Sequence, residues 1–387
     1  MRSTPIPSTS RAIHSSHRHS FVGLEAARKM KEQKLHRVVR LHGPCDLRLE
    51  TRQLRTPGDN DVIVSVGAVG VCGSDLHLYN EARIGTTKLA EPFIPGHEFM
   101  GTVVAAGPAS SDALGQSLRL GQRVAIEPHI ACGNCTWCMC GQSNLCPHHI
   151  FLGLPGCDGA LAEQVIVPGR QCYPLPDSIS DNAGALLEAL GVAMHAASLA
   201  RIRANEAVVV VGLGSIGLML VRLAALIGAA PLIAVDPLPW RAKFARHWGA
   251  THTHTGTLNS MPERMRRASG PHGSPTVFET AWAGTAISDC VHAAAPGARV
   301  VLVGIPADDT FSLPHSVARR KGLTLLFSRR MGAEMPLAIR LASLSHEGVN
   351  LDELVTHEWR LDQTARAFSQ NARYADGVLK SVVHPQR

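Results

Sequence analysis

The segment Gly212-Leu213-Gly214-Ser215-Ile216-Gly217 constrains the fold of this chain more than any other. It follows an apolar run over 207–211 and opens a helical run that continues through residue 227. The first two glycines permit a tight turn and let the backbone approach a pyrophosphate. The third lets helix pack on strand, and the helix N-terminus, from Ser215 and Ile216, offers N–H donors to an anion. Asp236 closes the next apolar run nineteen residues after Gly217, where a carboxylate accepts hydrogen bonds from both ribose hydroxyls. Such a carboxylate repels a 2′-phosphate, which favours NAD over NADP, while Arg241 nearby works in the opposite direction. The competing readings are a glycine-rich turn in a non-nucleotide α/β domain and, for Asp236 alone, a strand-end cap.

The texture around this motif supports the first reading. After residue 181, Ala- and Leu-rich helical stretches alternate with the apolar runs AVVVVG, PLIAVD, TVFET and ARVVLVG. That alternation predicts βαβ units and a doubly wound parallel sheet of Rossmann type, buried on both faces. From 62 to about 176 the chain is instead dense in Gly, Pro and short β-branched runs, a pattern of short strands and turns. The expected organisation is α/β: a disordered tail over 1–36, a β-rich catalytic domain over 37–189, a nucleotide domain over 190–328, and a segment over 329–387 that rejoins the first domain and makes it discontinuous.

Charge excludes other classes. The formal net charge is +7, but residues 1–40 hold nine Lys/Arg against Glu25 and Glu32. Removing these from 38 basic and 31 acidic residues leaves 29 of each sign. A neutral body does not imply a nucleic-acid surface. No apolar run is long enough to span a bilayer, so no membrane partner is expected. The Ser-, Arg- and His-rich leading segment reads either as a transit peptide or as a disordered tail, and the tail is preferred because Met30 begins a run resembling an ordinary protein start.

Four of the ten cysteines, Cys132, Cys135, Cys138 and Cys146, crowd one loop over 130–147. Four thiolates complete a tetrahedral Zn²⁺ with no open position, which makes a structural site. Cys140 lies inside the loop at a less suitable spacing. Thiolates held by metal point to a reducing compartment and a cytoplasmic protein. A second set is scattered: Cys72 in GVCGSDLH, His97 and Glu98 in PGHE, and Glu188 in LLEALGV. Thiolate, imidazole and carboxylate together suit a catalytic zinc with one position open.

GVCGSDLH, PGHEFMGTVVAAG, GQRVAIEP, the cysteine loop and GLGSIG occur here in one order. In that order the chain resembles the zinc-containing medium-chain dehydrogenase/reductases from about residue 36 onward, and within them the sorbitol (polyol) dehydrogenase branch, marked by Glu98 after His97 and by Glu188. The resemblance implies a GroES-like catalytic domain and NAD-linked oxidation of a secondary alcohol of a polyol or sugar derivative. It implies Cys72, His97 and Glu98 as zinc ligands, with Glu188 binding directly or through water. Ser74 and His77 match proton-relay positions. Tyr79 and Arg330 (or its neighbour Arg329) match substrate contacts, and the backbone of Val303, Gly304 and Ile305 would meet the nicotinamide carboxamide. Ala189 stands where the branch has proline. L-idonate 5-dehydrogenase, threonine 3-dehydrogenase and cyclitol dehydrogenase activities are the near alternatives, and a non-enzymatic NAD-binding relative is the distant one. A homotetramer or dimer through the nucleotide domain is also implied.

Overall fold

The computed structural model describes residues 35–281, 285–305, 310–344 and 347–387. The tail expected over 1–36 therefore lies outside the described residues except at Leu35 and His36, which already belong to a strand, Leu35–Gly43, paired antiparallel with Asp46–Gln53.

The β-rich half is built on one mixed sheet. Its central strand, Asp61–Gly70, pairs antiparallel with Glu98–Ala106, with Gln164–Pro168 and, at its far end, with Lys380–His384. Arg123–Ile126 and Cys172–Pro174 extend one side and Val355–Arg360 the other. The C-terminal strand thus sits beside a strand from near the start of the chain, and it carries Lys380 into the middle of this sheet. Along the central strand Val62, Val64 and Val66 alternate into a core with Val103, Val124 and Val167, the period-two burial expected of a sheet face.

The second sheet has six parallel strands. Counted along the chain they lie in the order third (His252–Thr255), second (Leu232–Asp236), first (Val208–Val211), fourth (Ser274–Glu279), fifth (Ala294–Leu302), sixth (Thr324–Phe327). This is the dinucleotide-binding order, with its crevice at the carboxyl ends where the order reverses between the first and fourth strands. All four residues of Val208–Val211 are buried, as a strand covered by helices on both faces requires. The helix Ser215–Ile227 covers it and ends on Gly228 in the left-handed region, the usual helix stop.

The helix Leu187–Ala200 joins the halves. It packs against Ser215–Ile227, and one continuous apolar cluster runs from Ala68 and Met100 of the first sheet through Leu186 and Leu190 to Val210 and Leu218 of the second. Glu188 occupies the first turn of this joining helix, which sets it where the two halves meet. Among the described residues no helix is long and apolar enough to cross a membrane.

Candidate active site and metal centres

The pairing register assembles the first cluster. Gly70 lies opposite Glu98, so the chain leaving one strand, with Cys72 capping the helix Gly73–Glu81, and the chain entering the other, with His97, meet at the same sheet end. One ligand atom each from Cys72, His97 and Glu98 lie within 4.8 Å of one another. A Cβ at residue 70 would overlap the Glu98 carboxylate, so the glycine leaves the carboxylate its place.

Around this cluster the polar groups are arranged unequally. His97 is buried, with Nδ1 3.4 Å from Asp75 Oδ1 and Nε2 3.4 Å from Ser74 Oγ. Asp75 Oδ2 accepts from the Cys72 N–H at 3.0 Å, so one carboxylate braces both the cysteine and the histidine. Burial opposes protonation of His97, but Asp75 and Cys72 outweigh it and raise the ring well above its ordinary value. His97 Nδ1 and Asp75 Oδ1 are buried facing each other, with no other hydrogen-bond partner for either. Glu98 Oε2 instead meets Lys380 Nζ at 2.5 Å, both side chains nearly fully buried. Glu188 is outside the three-residue group. It lies close enough to feel His97, Glu98, Lys380 and Arg330, and burial first of all raises its carboxyl to about 7.

The four-cysteine loop forms a second cluster, Cys132, Cys135, Cys138 and Cys146. Sγ separations are 3.5, 3.8 and 4.0 Å. A tetrahedral zinc with bonds of about 2.3 Å needs sulfurs about 3.8 Å apart, so the sulfurs are already at coordination spacing. The Asn134 and Cys135 amides help hold the Cys132 thiol down to about 6. Cys140 is exposed at the end of the short helix Thr136–Met139 and outside this group.

At the nucleotide motif, Gly212 has φ +87°, and a Cβ at Gly217 would overlap the Gly212 carbonyl. Gly214, at the start of the helix, faces open space. The turn is therefore as tight as the three glycines require, and the helix N-terminus beside Gly214 has no side-chain cap, so its N–H groups are left to an anion. Asp236 is buried; Oδ2 accepts from Leu213 N at 2.7 Å and Oδ1 from Leu238 N at 2.8 Å. It holds the glycine turn as a strand-end cap would, and Arg241 lies 3.7 Å from it while stacking on Tyr374.

The two halves meet at His77. Its Nε2 donates to the Ile305 carbonyl at 3.0 Å, and burial lowers the ring while that hydrogen bond raises it, with a net fall. Val303 and Gly304 donate to the Glu279 carbonyl. The helix that Cys72 caps is therefore tied to the loop of Val303, Gly304 and Ile305. Arg330 approaches the cluster from another side: its guanidinium lies 4.0 Å over the Phe151 ring, whose centroid is 5.5 Å from that of His97. Tyr79 is not brought there. Its ring packs edge-on against Phe368 at 5.5 Å and its hydroxyl meets Cys45, because that face of the helix Gly73–Glu81 packs on the helix Thr364–Ala372.

Sequence reasoning missed four residues at this site. Asp75 was visible three residues after Cys72, at capping-box spacing. Lys380, Glu127 and His129 left no local signal. Glu127 is half-buried, receives the Tyr173 hydroxyl at 3.2 Å and is raised to about 7 by desolvation.

The description "Alcohol dehydrogenase GroES-like domain" matches residues 58–177, and "Zinc-binding dehydrogenase" matches residues 215–343. Sorbitol dehydrogenase of Bacillus subtilis is 30% identical over 347 residues, covering 90% of this chain and 96% of its own. The chain belongs to the zinc-containing medium-chain dehydrogenase/reductases. Its likeness to the polyol branch extends to a probable D-xylulose reductase A of Arthroderma otae, 33% identical over 336 residues, covering 85% of this chain and 92% of that one. A solved zinc-binding dehydrogenase from Sinorhizobium meliloti, bound to NADP, superposes with TM-score 0.80 at 29% identity, covering 91% of this dehydrogenase and 100% of the other chain. The GroES-like half and the Rossmann sheet are those of this family, and the protein is an oxidoreductase of the alcohol and polyol dehydrogenase class.

Proposed function

We propose that this dehydrogenase oxidises a secondary hydroxyl of a polyol or sugar derivative at the corner formed by Cys72, His97, Glu98 and Glu188. The observation that supports this is the convergence of a sulfur, an imidazole and a carboxylate within 4.8 Å, in the cleft where His77 also touches the Ile305 carbonyl. These donors fit zinc, and the four-cysteine loop fits a second, structural zinc. When bound, zinc and NAD supply polarisation of the hydroxyl and acceptance of hydride.

The chain's own residues do the rest. Cys72 and His97 would hold the metal, with Glu98 and Glu188 as the carboxylates that could supply oxygens. Asp75, 3.4 Å from Nδ1, favours the ring proton there and would leave the Nε2 lone pair free for a metal. Ser74, beside His97, would accept the hydroxyl proton while passing its own on toward His77. Gly212, Gly214, Ser215, Ile216 and Gly217 cradle the pyrophosphate, Asp236 receives the ribose hydroxyls through the lone pairs its backbone contacts leave free, and Val303, Gly304 and Ile305 meet the nicotinamide. Arg330 faces the substrate, as a donor to oxygens remote from the reacting carbon.

Among the described residues Thr324–Phe327 is the edge of the parallel sheet and carries an exposed Phe327, and a second copy adding its own edge strand there would form a dimer. Exposed thiols such as Cys45 and Cys140 suit a reducing, cytoplasmic setting.

The test is NADH formation by zinc-loaded protein with sorbitol, xylitol, threonine and ethanol. Turnover of polyols that Cys72→Ser abolishes while the lobe zinc is retained supports the reading. Polyol turnover by Cys72→Ser protein stripped to one zinc overturns it.

A further inference from the structure

Arg330 is held in an unusual way. Its backbone lies in the left-handed region at φ +56°, which a non-glycine residue adopts only where its surroundings impose it. Its guanidinium stacks on Phe151, and one N–H donates to Nδ1 of His129. A guanidinium can only donate, so Nδ1 must carry the lone pair. The opposite nitrogen of that ring, Nε2, lies 2.8 Å from the Ser143 carbonyl, an acceptor, so Nε2 carries the proton. Both contacts demand the same neutral tautomer, and burial pushes the ring's pKa down to about 4.

The four-cysteine loop imposes this arrangement. Ser143 belongs to it, as does Asn144, whose amide donates to the Arg329 carbonyl at 3.1 Å. His149, just beyond the loop, bonds the Cys146 carbonyl at 2.7 Å and stacks on His129 at 4.9 Å. The loop thus fixes the His129 ring on one side and the backbone beside Arg330 on the other.

The result is a half-buried cation without a counter-ion. Among the described residues no carboxylate lies within ion-pair distance of Arg330. A guanidinium taken partly out of water needs paired acceptors for its remaining N–H donors. One guanidinium-to-ring step of 4.0 Å and one ring-to-ring step of 5.5 Å through Phe151 link it to His97. A sugar-sized substrate spans that interval with its reacting carbon at one end and a second group at the other.

We propose that His129 is a positioning residue through which the cysteine loop aims Arg330, and that the subsite so formed selects polyols bearing a terminal anionic oxygen fork, a carboxylate or a phosphate. This rests on the reading above only in placing the oxidised hydroxyl at the Cys72–His97 corner. A charge-assisted, bidentate pair replaces hydrogen bonds to neutral hydroxyls, which is worth about tenfold or more in affinity.

The test is calorimetric binding of D-gluconate, D-sorbitol 6-phosphate and D-sorbitol to the zinc-loaded NADH complex. The expected result is that at least one anion binds about tenfold or more tightly than sorbitol, and the two anions separate a carboxylate subsite from a phosphate subsite. His129→Leu brings the anion-to-sorbitol ratio to parity, while His129→Asn, whose amide oxygen can take the Arg330 N–H, keeps a preference. Arg330→Gln gives the same parity should His129→Leu fail to fold. Sorbitol binding as tightly as both anions to the wild type, or an unchanged ratio in His129→Leu and Arg330→Gln, overturns the proposal. Anion binding that depends on His129 in a protein that oxidises no polyol upholds the subsite and overturns the proposed function.

Discussion

Replacing Asp75 by asparagine keeps the shape of the side chain and removes its charge. In the native protein one carboxylate oxygen accepts from the Cys72 N–H at 3.0 Å and the other lies 3.4 Å from His97 Nδ1. An amide has one acceptor oxygen and one donor nitrogen. If the oxygen stays on Cys72, the amino group faces Nδ1 and demands its lone pair, which drives the ring proton to Nε2, the nitrogen beside Ser74. If the amide flips, two N–H groups confront each other at Cys72. Either arrangement takes a ligand lone pair away from the metal or displaces the cysteine that would share it. Loss of such an outer partner costs 10–100-fold in metal affinity, about 1.4–2.7 kcal/mol. Competition of the zinc-loaded variant against a chromophoric chelator reads this directly, because the four-cysteine lobe is an internal control. The expected outcome is one zinc released about 10–100-fold more readily than in the wild type, with the lobe zinc unmoved. Wild-type affinity for both ions in Asp75→Asn would refute the reasoning.

Three further outcomes follow from the geometry. Gly214→Ala places a methyl in open space, so thermal stability holds while NADH titration shows weakened binding. Gly217→Ala meets the Gly212 carbonyl and loses both; equal behaviour of the two variants would count against the cradle. Asp236→Ala lowers the ratio of NAD to NADP specificity measured by kcat/KM, and an unchanged ratio would remove Asp236 from the ribose site. Burial raises the Glu279 carboxyl to about 7 against the pull of the Ala281 and Gly304 amides. The folded chain then holds a proton that the unfolded chain releases near the ordinary carboxylate value, so stability is lost as pH climbs through that interval to about 7. Glu279→Gln removes this dependence and should gain on the wild type by about 1–3 kcal/mol in denaturant unfolding at pH 8 relative to pH 5; parallel pH profiles would contradict it.

What the sequence disclosed follows the range of the interactions. The glycine turn and the cysteine loop are local: the spacing itself makes the turn and the sulfur cluster, so both were legible as read. The parallel sheet was legible because strands buried on both faces must be continuous apolar runs. Cys72 and His97 were readable as metal-binding types, but only the register that sets Gly70 opposite Glu98 explains why they meet. Lys380 could not be anticipated, since a lone lysine in an apolar strand says nothing about a carboxylate on a strand from the other end of the chain. His129 and Glu127 were hidden in the same way. Tyr79 was placed at the substrate by its position in a motif, whereas packing against Phe368 decides where its ring goes.

The central claim is that a metal sits where Cys72 and His97 converge, facing a bound nicotinamide. Anomalous diffraction at the zinc edge from crystals grown with NADH tests it most directly. The expected map has two peaks per chain, one among the sulfurs of Cys132, Cys135, Cys138 and Cys146 and one bonded to Cys72 Sγ and His97 Nε2 in the cleft that holds the cofactor. A single peak in the lobe, with Lys380 still clasping Glu98 and no metal at Cys72, would contradict it.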